Sequence, residues 1–280
     1  MENSVKDFKK NLIKTINQPE MRILPGQLAF FLLLSIIPLL AVIAAVASRF
    51  SLSIENLLNS VSNTLPKEIS DFILQIIDRG NINMNIVIFC ILGFILASNG
   101  PHSMIIGSNL LYGIKDKDFL TRRIKAFLMT VILTVLFIFV LIVPVFGNQI
   151  VRLLTDLIPS NKVDDTIMLV YGILKYPVSL FIIFFFIKLL YTIAPDQVIK
   201  SKETTKGAIF TTLGWILSTE IYSFYVKKIA NYSVLYGSVA NLIVLFIWIY
   251  ILSYIFMLGM ALNATNYNEK KANVKSVKEK

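Results

Sequence analysis

A chain of 280 residues that is 56% hydrophobic and 16% charged, with a mean hydropathy of +0.71, holds more apolar side chain than one water-soluble core of this length can bury. A net charge of +10 on such a chain reads as cytoplasmic anchoring of a polytopic membrane protein, and no nucleic acid is expected as a partner. One cysteine, Cys90, and one histidine, His102, exclude an internal disulfide and any His/Cys metal cluster.

In chain order, a basic segment over 1–27 leads into GQLAFFLLLSIIPLLAVIAAVASRF at 26–50. Its close in Ala45-Val46-Ala47 imitates a secretory cleavage site, but the apolar run is about 20 residues where a signal core has about 7–15. It is expected to be a retained first span over 28–47. Pro38 removes the donor for the Leu34 carbonyl and should bend this helix toward the bundle interior, with Ser35 close enough for local re-bonding. Residues 52–80 are expected to form an extracytoplasmic helical hairpin. Within it Ile69, Phe72, Ile73, Ile76 and Ile77 follow helical spacing between Pro66 and Gly80.

The next apolar segment, 86–112, is interrupted at Asn99-Gly100-Pro101. At 100° per residue, Ser98, Asn99, His102, Ser103 and Asn109 fall within about 140° of arc, a face that should point into protein or water. Broken helices build transporter sites, so these residues are candidates for a polar pathway; polar contacts with neighbouring helices explain the same residues without one. Spans follow near 126–145, 167–193, 208–226 and 239–263. Lys175 and Lys188 in the fourth are expected to snorkel to the interfaces. Glu220 lies about two turns from Lys227 in the fifth, and Tyr250 lies near the middle of the sixth, so both join the candidate pathway. The lysine-rich stretch 265–280 is expected to be a disordered cytoplasmic tail.

The fold class is thus all-α: a polytopic membrane bundle of six transmembrane helices over 28–264, with extracytoplasmic amphipathic helices. Six spans put both termini and the second and fourth connections on one side. That side carries eighteen Lys and Arg against seven opposite, so it should be cytoplasmic. There is no Walker A sequence and no H-E-x-x-H. Asp116, Asp118, Asp196 and Glu203 are spread over two short connections, too scattered for a two-metal nuclease, so neither an enzyme nor a cofactor or metal is expected.

LAFFLLLSIIPLL in the first span and YGSVANLIVLFIWIYILSYIFMLGMALNA in the last resemble the YihY/BrkB family of bacterial inner-membrane proteins, once labelled ribonuclease BN. SNLLYGIKD, LLYTIAPD and GWILSTEIYSFYV extend the resemblance over nearly the whole chain, with Glu220 the departure from its pattern. The resemblance implies a multi-pass protein of the bacterial plasma membrane that transports or exports an amphiphilic or lipid-linked substrate. A non-transporting scaffold for an envelope complex is the second reading, and a tRNA-processing ribonuclease, the old label, the third. The expected partners are the lipid bilayer and an amphiphile, with a second copy or envelope proteins possible.

Overall fold

The computed structural model describes residues 10–49, 84–136, 161–228 and 238–278, and within them the side chains of 10–35, 88, 91–136, 177–225 and 243–272. The expected 52–80 hairpin, the direction of Pro38 and the side chain of Lys175 lie outside these residues. Among the described residues the regular structure is entirely helical: α1 (10–16), α2 (Pro19–Arg49), α3 (Met84–Ala97), α4 (Asn99–Tyr112), α5 (119–136), α6 (Asn161–Ile193), a 3-10 turn (Ser201–Thr204), α7 (Thr205–Lys228) and α8 (Ser238–Lys278).

α8 is the central post, packed against α2, α4 and α7, while α2 also holds α3 and α4, and α6 rests on α7. Leu28, Ile105, Met129, Leu190, Tyr191, Phe256 and Met260 are fully buried where these helices meet. The outward faces are apolar too: Leu92 and Leu96 of α3, Ile124 and Leu128 of α5, Phe181 and Phe185 of α6, and Leu213, Leu217 and Ile221 of α7 are exposed. Water-soluble surfaces rarely carry apolar belts on so many neighbouring helices, whereas lipid contact requires them. Among the described residues, the stretch Ile243–Ala272 of α8 is long and apolar enough to cross a membrane, and Pro177–Ile193 of α6 is a shorter apolar helix.

Hydrogen bonds bring four separate segments to one end of the bundle. Asn11 Nδ2 donates to Glu269 Oε1 at 2.8 Å, Asn268 Nδ2 to the Leu111 carbonyl at 3.3 Å, and Lys270 Nζ to Glu203 Oε2 at 2.7 Å. The same bonds correct the expected disorder after residue 264, since α8 runs unbroken to Lys278. ATNYNEKKANVKSVK contains neither Gly nor Pro, so nothing in it stops a helix already nucleated by the apolar span.

Ser35 does re-bond locally, but to the Leu32 carbonyl at 2.7 Å and not to Leu34. A helical side chain leans toward its own N-terminus and reaches the carbonyl a turn back, not the one beside it.

The tightest contact is the crossing of α7 and α8. A Cβ on Gly207 would overlap the Gly259 carbonyl and the Asn263 amide, and one on Gly259 would overlap Thr211, Tyr191 and the Gly207 carbonyl. Asn263 fastens the crossing, accepting from the Gly207 N–H at 2.7 Å and donating to the Thr204 carbonyl at 3.1 Å. About one turn before Gly259 on α8, the Tyr191 hydroxyl sits 2.6 Å from Thr211 Oγ1 and donates to the Phe256 carbonyl at 2.6 Å, joining α6 to the same seam.

Candidate functional site

The interruption predicted at residues 99–101 is a single turn residue, Ser98, between α3 and α4, at helical dihedrals and with the backbone ladder carried through it by the Ser98 N–H to the Phe94 carbonyl at 3.0 Å and the His102 N–H to the Ser98 carbonyl at 3.1 Å. Pro101 has no N–H to give the Ala97 carbonyl, and the nearby side-chain donors go to the neighbouring carbonyls of Ile95 and Asn99. Ser98 Oγ donates to the Ile95 carbonyl at 2.6 Å and Ser103 Oγ to the Asn99 carbonyl at 3.0 Å. From α5, Arg123 reaches across to donate to Asn99 Oδ1 at 2.7 Å and to the Ile95 carbonyl at 3.2 Å. Its guanidinium also lies 4.9 Å from the Phe127 ring centre. Arg123 thus ties α5 to the junction of α3 and α4.

α4 ends at Tyr112 because Gly113 turns left-handed at φ 64, and the Ile114 N–H returns to the Asn109 carbonyl at 2.8 Å. An L residue with a side chain resists that φ, so glycine suits the stop. The turn folds the following loop back over α4 and delivers Asp116 to Asn109. The buried Asn109 amide donates to Asp116 Oδ1 and to Asp196 Oδ2, both at 2.7 Å, while its oxygen accepts from the Asp196 N–H at 2.8 Å. Lys125 donates to Asp196 Oδ1 at 2.9 Å and to the carbonyls of Ala194 and Pro195, just past the C-terminus of α6, where the helix dipole favours a cation. Arg122 Nη1 meets Asp116 Oδ2 at 2.8 Å, and the Lys117 N–H meets Asp196 Oδ2 at 3.2 Å.

Of the four acids expected to be scattered, Asp116 and Asp196 thus converge on one amide, while Asp118 and Glu203 stay apart. Each of the four oxygens of the converging pair already accepts from a protein donor, and each charge has its own cation. Burial pushes the Asp196 carboxyl up, but Lys125, Asn109 and the Lys117 N–H together hold it below the usual carboxylate range. Asp118 is lowered as well, by the Thr121 N–H and hydroxyl that it accepts as the cap of α5. Among the described residues no group of three His, Cys, Asp or Glu side chains is placed to hold a metal ion.

Of the candidate pathway residues, the structure gathers Ser98, Asn99, His102, Ser103 and Asn109 along the face of α4 that turns into protein. Ser98, Ser103 and Asn109 are buried; Asn99 and His102 are half-buried toward α5, where the His102 ring meets Phe119 edge-on at 6.0 Å. His102 Nδ1 is buried without a partner among the described residues. Glu220 is not brought to this face. It is exposed on α7 beside Leu217 and Ile221, and the principal partners of α7 are α6 and α8. Tyr250 is on α8, 6.2 Å from Tyr254 and in contact range of Gly26 of α2.

On the other flank of α5, Val135 and the α6 residues Phe181, Ile182, Phe185 and Phe186 line an apolar groove of about 350 Å³. Lys188, also on α6, is half-buried with its ammonium 5.8 Å from the Phe184 ring centre, and neither residue lines the groove.

The family model described as Virulence factor BrkB matches residues 12–280. The chain belongs to this family. A putative ribonuclease-like protein of Bacillus subtilis, YfkH, is 29% identical over 268 residues, covering 94% of this chain and 96% of the relative. A UPF0761 membrane protein of Vibrio parahaemolyticus is 22% identical over 270 residues, covering 92% of this chain and 81% of the relative. Another, from Pseudoalteromonas translucida, is 29% identical over 261 residues, with 85% and 79% covered. No solved structure matches the chain. Family membership, composition and the outward apolar belts agree on an integral membrane protein. Sequence reasoning passed over Arg123, Lys125, Gly207, Gly259 and Asn263, although SNLLYGIKD and LLYTIAPD end on the two aspartates that meet at Asn109.

Proposed function

We propose that this BrkB-family protein crosses the bacterial plasma membrane six times, with both termini cytoplasmic, and moves an amphiphilic substrate between the leaflets or out of the membrane. The observation that carries the reading is the two-sided character of α5. At its first turns Arg123 and Lys125 bond α3, α4 and the segment just past α6, and Arg122 bonds Asp116 of the loop before α5, while Leu120 and Ile124 of the same turns are exposed. The charged cluster therefore lies at the depth of lipid headgroups, and an apolar groove follows on the same pair of helices. A polar head and an apolar chain would each find matching surroundings along that route.

The test is purified protein in liposomes loaded with fluorescent phospholipid, read by dithionite quenching. Movement above protein-free vesicles is expected, with Arg123→Gln slowing it about ten-fold by releasing α5 from Asn99 and the Ile95 carbonyl. Equal rates with and without protein, together with an unchanged lipid distribution in a deletion strain, would sink the reading.

A scaffold role is favoured by the saturation of the Asn109 network, which leaves few polar groups over for a substrate. Under it, Arg123→Gln complements a deletion strain and surface changes in 66–80 do not. The ribonuclease-like name of the Bacillus relative points to a third role, which the neutralised aspartates disfavour. RNA cleavage that needs a divalent metal and vanishes in Asp196→Ala would establish it and remove our reading of the chain as a non-enzyme.

A further inference from the structure

The outward belts of the bundle have one charged member among the described residues. The exposed side chains of α3 from Ile91, of α5 from Ile124 and of α6 from Pro177 to Phe185 are apolar, and those of α8 from Ile243 to Ile251 add only the Tyr250 hydroxyl. On α7, Phe210, Leu213, Leu217 and Ile221 share their belt with Glu220, which is exposed as well. The 24 residues of α7 span about 36 Å, so a hydrocarbon core about 30 Å thick leaves about 3 Å at each end. Glu220, eight residues before Lys228, then sits about 9 Å inside that core. Lysine and arginine escape such a depth on long stems, and glutamate has a shorter one. The ion pairs among the described residues join Arg122 to Asp116, Lys125 to Asp196 and Lys270 to Glu203, and leave Glu220 out. A carboxyl facing lipid is costly until another polar group meets it.

Its neighbours form a stripe suited to a second helix. Phe210, Leu213, Leu217 and Glu220 follow at steps of three, four and three, the 3.5-residue spacing of helices that pair lengthwise at a crossing of about 20°. The stripe lies about 100° around α7 from the side of Gly207, Thr211 and Gly214 that packs on α8. Leu213 is 58% and Leu217 64% exposed, so no described helix of this chain fills it. We infer that the stripe pairs with the same stripe of a second copy, the two Glu220 carboxyls hydrogen-bonding to each other across the two-fold axis. Copies of one chain enter the membrane in a single orientation, so the axis of such a pair runs along the membrane normal. α7 then meets α7 in parallel, and Glu220 faces Glu220 at equal depth. A foreign helix would need a polar residue of its own at that depth, whereas a second copy has one by necessity. With one proton between them, one carboxyl donates to the other and no cation is required. A lone polar pair in an apolar stripe also fixes the register of the two helices. The pairing needs only that α7 lies in the membrane, so it stands apart from any movement of lipid.

Cysteine cross-linking in native membranes tests it. Cys90, the one native cysteine, is replaced by alanine, and a single cysteine is introduced by Leu213→Cys on the stripe or Leu128→Cys on the α5 belt. With copper-phenanthroline as oxidant, Leu213→Cys should form a disulfide-linked dimer in about five-fold higher yield than Leu128→Cys. Adding Glu220→Leu should lower that yield about five-fold, while Glu220→Gln, which still donates and accepts, should keep it. Mass spectrometry identifies the partner in the band. Equal yields at the two positions, a yield that survives Glu220→Leu, or an adduct of Leu213→Cys with a different protein overturns the assignment. Gel filtration in detergent shows whether each variant is folded, and should Glu220→Leu fail it, Glu220→Ala takes its place.

Discussion

Where α7 crosses α8, the backbones of Gly207 and Gly259 meet and the bonds across the crossing, from Asn263, Tyr191 and Thr211, are neutral. Where α4, α5 and α6 meet, the fastening is ionic: two aspartates, two cations and an amide between them, with Arg123 bonded to Asn99 at the junction of α3 and α4. The first region has no spare volume and little charge. The second is bonded through long side chains that could rearrange by exchanging partners. A protein that changes shape would do so at the second, pivoting on the first.

The sharpest way to break this contrast is to add one methyl group at the seam. Gly207→Ala should cost the upper part of the range of about 1–3 kcal/mol usual for overpacking, because what it meets is backbone. The loss relative to wild type, read from melting curves in detergent, should be the same at every salt concentration and pH, and a shift as small as that of a surface alanine would show that the crossing is loose.

At the junction, Asn109→Leu keeps the volume nearly unchanged but removes the donor shared by two carboxylates. A loss of about 2 kcal/mol is expected, since unsatisfied buried acceptors cost about 1–3 kcal/mol and more when charged. Unlike the seam variant, it should recover partly in high salt, as two facing carboxylates are screened.

Asp196→Asn probes the same site through pH. The folded carboxyl lies below its unfolded value, so its contribution is present above the unfolded pKa of about 3.9 and is lost as pH falls through the folded value. Wild-type stability should therefore fall on acidification below about pH 4. The variant should lose that component of the fall, keeping the part due to Asp118, which is shifted in the same direction. Identical acid profiles would mean that Asp196 is not held as its hydrogen bonds indicate. The smallest effect belongs to Lys270→Ala. Its pair with Glu203 is largely exposed on the lysine side, and such pairs contribute about 0–1 kcal/mol.

Much of the helical layout was legible because hydrophobic runs and breakers are local signals. Asn99-Gly100-Pro101 marked a break, and the polar residues around it were spaced so that they had to share a face. The Asn109 junction was not legible in that way. Asp116 and Asp196 are 80 residues apart, and nothing in periodicity says that a glycine turn and the end of another helix bring them to one amide. Gly207 and Gly259 read as weak points in their helices until the crossing shows what their missing side chains permit.

At 41 residues, α8 is about 62 Å long, roughly twice the thickness of a hydrocarbon core. One continuous rod thus carries the Gly259 seam and, about 28 Å further on, Lys278. Mechanically it is a pointer with its fulcrum inside the bundle: a tilt of about ten degrees at the seam sweeps the far end through about 5 Å over that lever arm. The clasps from Asn11 and Glu203 grip the pointer close to Glu269 and Lys270, so any rocking of the bundle core would be written as strain in those two bonds.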